Sequence, residues 1–140
     1  MERTLAIIKP EAVAAGLAGK ILARLEAEGF RILGLKQIQL TKAQAMSFYQ
    51  VHAGRPFYES LTSYMASGPV IPVALERDRA IERLRALMGA TNPQEAAPGT
   101  LRKDFGQSIE QNAIHGSDSP ASAAVEIPFF FSTCELCQPK

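Results

Sequence analysis

The sequence predicts an α+β fold, a βαββαβ sandwich of the ferredoxin-like type with a four-stranded antiparallel sheet, helices on one face and one long loop. Three observations carry that reading. Short β-rich runs near residues 4–8, 31–40, 70–75 and 113–114 alternate with stretches of helical periodicity. Breakers and caps punctuate the alternation at Pro10, Gly29, Thr41, Gly68-Pro69 and Pro120. The chain of 140 residues, 46% of them hydrophobic, is long enough to bury one core, so a single domain over residues 1–140 is expected.

Taken in order, Leu5, Ala6, Ile7 and Ile8 make a short apolar strand that Lys9-Pro10 stops, which leaves Lys9 at the strand's carboxyl end. Leu17, Ile21, Leu22 and Leu25 recur at helical spacing with Gly29 as a C-terminal cap, so residues 17–28 read as an amphipathic helix. Residues 31–40 alternate like a strand, but Leu33 and Leu35 are odd-numbered while Ile38 and Leu40 are even. That slip of phase predicts a β-bulge near Lys36 and Gln37. Thr41 and Gln44 match a capping box that opens a helix to about residue 50, with Ala45, Phe48 and Tyr49 as its contacts.

Arg55-Pro56-Phe57 breaks the pattern, and a second helix over 58–66 places Leu61 and Met65 on one face. Residues 70–75 read as a strand in which Pro72, unable to donate to a ladder, argues for an edge or bulged position. Asp78 is the expected cap of a helix bearing Ile81, Leu84 and Leu87. Residues 89–107 read as a long ordered loop or lid with a short turn at 93–97, and its Thr91, Arg102 and Lys103 favour function. Ala113 and Ile114 form a short buried strand that delivers His115. Gly116 is expected to keep one side of that ring clear, and Ser117, Asp118, Ser119 and Pro120 open a last helix carrying Val125 and Ile127, which Pro128 should kink or end.

Fifteen basic and fourteen acidic side chains leave a net charge near +1, so no global field draws in nucleic acid or a membrane surface. The opening apolar run is far short of a signal peptide or a spanning helix, which makes a cytoplasmic location the expectation. Cys134 and Cys137 form a Cys-x-x-Cys pair without a second pair of ligands, and two reduced cysteines in a mobile tail are expected there. His52 has no motif around it and reads as a packed or surface histidine. The usual phosphate signatures, a G-x-x-x-x-G-K-[ST] loop and a G-x-G-x-x-G turn, are absent.

The chemistry concentrates elsewhere. His115 stands at a strand end beside the amides of a helix start, a place suited to meeting an anion. Candidate cations lie at breaks in regular structure: Lys9, Arg85, Arg102 and Lys103. With these, six separated blocks in one order resemble the nucleoside diphosphate kinase family over nearly the whole length. The blocks are Glu2-Arg3-Thr4 through Ile8-Lys9-Pro10, Arg55-Pro56-Phe57, Ser67-Gly68-Pro69, Gly89-Ala90-Thr91-Asn92-Pro93, Pro98-Gly99-Thr100-Leu101-Arg102, and Asn112 through Ser119. The C-terminus resembles the short bacterial members.

The resemblance implies transfer of the γ-phosphoryl group of a nucleoside triphosphate, usually ATP, to a nucleoside diphosphate by ping-pong kinetics through a phosphohistidine. It makes His115 the nucleophile, whose ring must attack through an unprotonated nitrogen. By the same resemblance Glu126 holds the ring's other nitrogen. Lys9, Arg85 and Arg102 contact phosphate and ribose, Thr91 a phosphate and Asn112 the ribose, while Tyr49 and Ser117 line the pocket, Ser117 near the reacting phosphate. Phe57 stacks on the base with Ile109 at the apolar position opposite, which suits every base because each has a π-face.

Magnesium is expected to enter with the nucleotide rather than on a resident site, with Asp118 reaching it through water. A homo-oligomer, tetramer or hexamer, is implied, and the run Phe129-Phe130-Phe131 fits a buried helix end or an interface. Two features depart from the family's pattern: the Cys-x-x-Cys tail, and Pro128, which could displace Glu126. Two rivals remain at this stage, a histidine-dependent phosphatase that hands the phosphoryl group to water and a non-catalytic nucleotide-binding or scaffolding relative.

Overall fold

The opening apolar run forms strand β1 (Glu2–Ile8), and its alternation decides the architecture. Leu5 and Ile7 point to one side and Ala6 and Ile8 to the other, yet all four are fully buried. A strand buried on both sides needs cover on both. The computed structural model, which describes residues 1–137, supplies it in two layers.

The sheet runs in the order β2 (Arg31–Leu35), β3 (Ile71–Arg77), β1 and β4 (Ile114–Gly116), every neighbour antiparallel, which is the ferredoxin-like arrangement the sequence predicts. Helices α2 (Ala18–Ala27) and α5 (Ala80–Met88) lie on one face and pack Ile21, Leu25, Leu84 and Met88 against Ala6 and Ile8. The other face is not open. Helices α3 (Lys42–Phe48), α4 (Tyr58–Met65) and α7 (Pro120–Phe130) bring Ala45, Met65, Ala123, Ile127 and Phe130 onto Leu5 and Ile7. Helices on one face is therefore corrected to helices on both. Two further short helices, α1 (Pro10–Ala14) and α6 (Leu101–Phe105), stand at the turns where the site is built.

Several local expectations are also corrected. The bulge lies earlier than Lys36: the register slips between Ile32 and Gly34, so that Leu33 turns inward and Leu35 outward. Pro72 is neither at an edge nor in a bulge but in β3, inside the sheet. Its carbonyl faces β2 and accepts from the Lys36 N–H at 3.3 Å, so its nitrogen, on the same side, meets β2 just past that strand's last residue, where no N–H is needed.

Asp78 does not cap α5. Arg79 occupies the N-cap with φ 53°, and the Glu2 carboxylate accepts from the Ile81 N–H at 2.9 Å, a cap supplied from β1 that local sequence cannot reveal. The long loop holds α6, started by the Thr100 hydroxyl accepting from the Lys103 N–H.

The tail is not free up to Cys137. Cys137 donates its N–H to the Leu33 carbonyl at 2.8 Å and Leu136 packs on the core, while both cysteines remain exposed thiols. Phe130 and Phe131 are buried and Phe129 is half-exposed. Among the described residues no helix is long and apolar enough to cross a membrane.

Candidate active site

Register places His115. Ile7 pairs with His115 across β1 and β4, and cross-strand partners share a face, so the imidazole emerges on the α3 and α7 side. There the rings of Phe48 and Tyr49 stand edge-on to it, centroids 5.5 Å and 6.0 Å away. Gly116 serves a purpose other than the expected one: a Cβ there would come within 2.6 Å of the Met88 sulfur and 3.0 Å of Leu84. Its bareness lets α5 press against β4, and it does not clear the ring.

Helix α7 starts in a capping box, with the Ser119 hydroxyl and the Ser122 hydroxyl each accepting from the other's backbone N–H, and Pro120 at its first position. Two turns on, Glu126 faces β4. Its Oε1 lies 2.9 Å from His115 Nε2 and accepts from the Ser117 hydroxyl at 2.8 Å. Ser117 is fully buried and accepts in turn from the Leu5 N–H, so its hydroxyl is committed to holding the carboxylate rather than facing a phosphate.

A carboxylate against Nε2 keeps the ring proton there and leaves the lone pair on Nδ1. Pro128 neither ends the helix nor carries Glu126 away. The helix continues to Phe130, and the bond that proline omits belongs to Ala124, on the exposed face.

The cations come from two turns. Pro10 stops β1, and Lys9 is 6% exposed with Nζ donating to the Glu110 carbonyl at 3.1 Å; burial first, and the nearby Arg102 charge second, hold its pKa down to about 8. Arg102 projects inward from α6, donating to the carbonyls of Gly89 at 3.2 Å and of Ile114, the residue before His115, at 2.9 Å. Burial, with the charge of Arg85, lowers its pKa to about 10. Arg85 itself is exposed on the last turn of α5.

Asn112 is buried and donates from Nδ2 to the Thr91 carbonyl at 3.0 Å, while the Thr91 residue is exposed. Tyr49 is buried near the Glu126 charge. Burial above all pushes its hydroxyl far above the ordinary phenol range, so it stays protonated.

Four buried side-chain polar atoms lack a hydrogen-bond partner among the described residues, and three of them, Tyr49 Oη, Arg102 Nε and Asn112 Oδ1, belong to this one constellation. Buried polar groups are nearly always paired, so three orphans together point to a polar ligand. At the rim Phe57 is 47% exposed and Ile109 60% exposed, as apolar surfaces for a flat base would be. His52, read as a bystander, is part of that rim: its ring lies 5.2 Å from Phe57 and stacks on Tyr49 at 6.2 Å. Its spacing of three from Tyr49 across a short 3₁₀ turn was the available signal.

Asp118 is an exposed carboxylate next to this group, held below the ordinary carboxylate range by the Ser122 hydroxyl first and also by Ser119 and Arg85. No group of three or more metal-ligating side chains occurs among the described residues.

An imidazole oriented by a carboxylate, among buried cations and unpaired polar atoms and below an open aromatic rim, defines a phosphotransferase acting on nucleotides. The model of the family described as nucleoside diphosphate kinase matches residues 2–136. Nucleoside diphosphate kinases from Geotalea daltonii and Geobacter sulfurreducens are 59% and 58% identical to the chain over 136 residues, covering 97% of it and 99% of each relative. Among solved structures, the Aquifex aeolicus nucleoside diphosphate kinase superposes with a TM-score of 0.95 at 48% identity, covering 96% of this chain and 98% of that one. A halophilic nucleoside diphosphate kinase from Halobacterium salinarum in complex with CDP does so with 0.96 at 40%, covering 99% and 93%. The chain belongs to the nucleoside diphosphate kinase family. Its reaction is phosphoryl transfer between nucleotides by a ping-pong route through a histidine.

Proposed function

We propose that His115 is the histidine that carries the phosphoryl group, with ATP as the usual donor. The observation that carries this reading is the 2.9 Å contact of Nε2 with Glu126, which leaves Nδ1 as the attacking atom. In the first half-reaction the Nδ1 lone pair bonds to the γ-phosphorus while the bond from that phosphorus to the bridging oxygen breaks, and ADP departs with the electron pair. In the second, a terminal oxygen of a nucleoside diphosphate attacks the same phosphorus, the N–P bond breaks, and Nδ1 recovers its lone pair. Glu126, backed by Ser117, keeps the Nε2 proton and stabilises the positive charge that the ring gains on phosphorylation.

Lys9 and Arg102 neutralise the phosphates, assisted by Arg85 and Thr91. Asn112 and Lys9 meet the ribose end, Tyr49 closes the wall, and Phe57 and Ile109 hold the base. Phosphoryl transfer asks mainly for such positioning and charge. Magnesium is proposed as part of the nucleotide substrate, where it offsets phosphate charge. The lone ionised Asp118 suits contact through water better than a resident site.

Residues 1–140 are read as one domain, supported by a family match that spans 2–136. The protein is proposed to act in the cytoplasm as a homo-oligomer, tetramer or hexamer, for which the exposed apolar Leu35, Val125 and Phe129 offer surface. The deciding experiment isolates the phosphoenzyme and adds a nucleoside diphosphate. Prompt formation of the triphosphate is expected, whereas release of inorganic phosphate alone would assign a phosphatase and an unlabelled protein a non-catalytic relative.

A further inference from the structure

The turn that leads into the strand of His115 is held at Ala113 by a residue 102 positions earlier in the sequence. Ala113, fully buried, has φ 78°, one of only two positive values at non-glycine residues among those described. The Ile114 N–H donates to the Asn112 carbonyl at 3.0 Å, a bond from i+2 to i that closes a γ-turn of the positive-φ kind around Ala113. Such turns are rare, and a non-glycine residue held there is strained. The turn separates Asn112 from His115, so its shape sets how both enter the site.

Strain of this kind persists only where the surroundings hold it. Both backbone groups of Ala113 are taken by the β1–α1 corner: its carbonyl accepts from the Lys9 N–H at 2.9 Å, and its N–H donates to Glu11 Oε2 at 3.0 Å. The other oxygen of Glu11 accepts from the Tyr64 hydroxyl of α4, and that hydroxyl accepts from the Glu11 N–H at 3.0 Å. Glu11 thus joins three elements, α1, α4 and the start of β4, at a single partly buried carboxylate, and it lies two residues beyond Lys9.

We propose that Glu11 is a positioning residue for phosphoryl transfer: by holding the Ala113 N–H it keeps the γ-turn that presents His115 Nδ1 in register with Lys9. It touches neither nucleotide nor reacting atoms. The inference rests on the reading of His115 as the phosphoryl carrier. A shift of about an ångström in a reacting group costs on the order of 10²-fold in rate, and loss of the turn would produce a shift of that size.

The test is single-turnover phosphorylation of His115 from saturating γ-labelled ATP, in which the rate constant reports alignment and the amplitude reports the fraction of competent sites. Glu11→Ala is expected to slow the rate constant 10- to 100-fold with the ATP concentration for half-maximal rate changed less than twofold. Glu11→Gln loses the charge near Lys9 but keeps an acceptor for the Ala113 N–H, and should retain at least a third of the wild-type rate constant. Glycine adopts positive φ without penalty, so Ala113→Gly in the Glu11→Ala background should recover at least fivefold.

A Glu11→Ala protein that loses amplitude but labels at the wild-type rate constant has only a folding defect, and that result overturns the proposal. So does a double variant no faster than Glu11→Ala, or a Glu11→Gln protein as slow as the alanine. Wild-type protein that takes no label at all contradicts the reading of His115 instead, and says so before any Glu11 variant is measured.

Discussion

The two ends of the site are built on opposite terms. At the end proposed for the phosphates Lys9 and Arg102 are 6% and 9% exposed, the His115 and Glu126 side chains 18% each, and every group is tied to backbone or to its neighbour by a named hydrogen bond. At the end proposed for the base Phe57 and Ile109 are 47% and 60% exposed apolar side chains. Electrostatic groups act most strongly when fixed and desolvated, whereas stacking needs only a flat surface. On the proposed reading, selectivity rests on the polyphosphate and little on the base.

That contrast can be broken first at its rigid end. Arg102→Ala removes a buried guanidinium that bonds the carbonyl preceding His115, and kcat/KM should fall about 10²- to 10³-fold for every nucleotide alike. A loss that varies with the base would dissolve the division. Glu126→Ala frees the imidazole to choose its tautomer, and steady-state kinetics should give kcat lower by about 10- to 100-fold with KM little changed. Nucleotide KM rising in step with the fall in kcat would instead mark Glu126 as a binding group.

Lys9 extends the contrast to pH. Burial holds its pKa at about 8 against the ordinary 10.5, and a bound phosphate raises it, so binding takes up a proton above pH 8. Calorimetric ADP affinity should weaken about tenfold per pH unit above pH 8, and Lys9→Met should flatten that slope. Folding responds in the opposite sense. The folded-state value is depressed, so the penalty of burying the charge is fully present below pH 8 and fades between pH 8 and 10.5, where the unfolded chain holds more protons. The smallest effect belongs to the open end: Phe57→Ala gives up a half-exposed stack worth about 1 kcal/mol, a roughly fivefold rise in KM at unchanged kcat.

The same division runs through what the sequence discloses. Short-range chemistry was legible. The Thr41–Gln44 and Ser119 caps, the Lys9-Pro10 stop and the Gly29 termination all occur as read, because the interacting atoms lie within a few residues. His115, Lys9, Arg102, Asn112 and Tyr49 were likewise picked out, and the fold brings them together. What escaped depends on distant partners. The α5 cap comes from Glu2 rather than Asp78, Pro72 is tolerated because β2 stops at its shoulder, and Gly116 answers to Met88. Glu11, just past the first motif, carries no signal of its own, since nothing local says that its carboxylate meets residue 113. Cover on the second face was missed because the run from Leu5 to Ile8 is apolar at every position and does not itself say what packs on either side.

On this reading the phosphoryl group passes through His115. Its most direct test is incubation of wild-type and His115→Ala protein with γ-labelled ATP, followed by acid and alkali treatment of the isolated chains. An acid-labile, alkali-stable label at one group per wild-type chain and none on the variant is expected; label persisting on His115→Ala would contradict transfer through that residue.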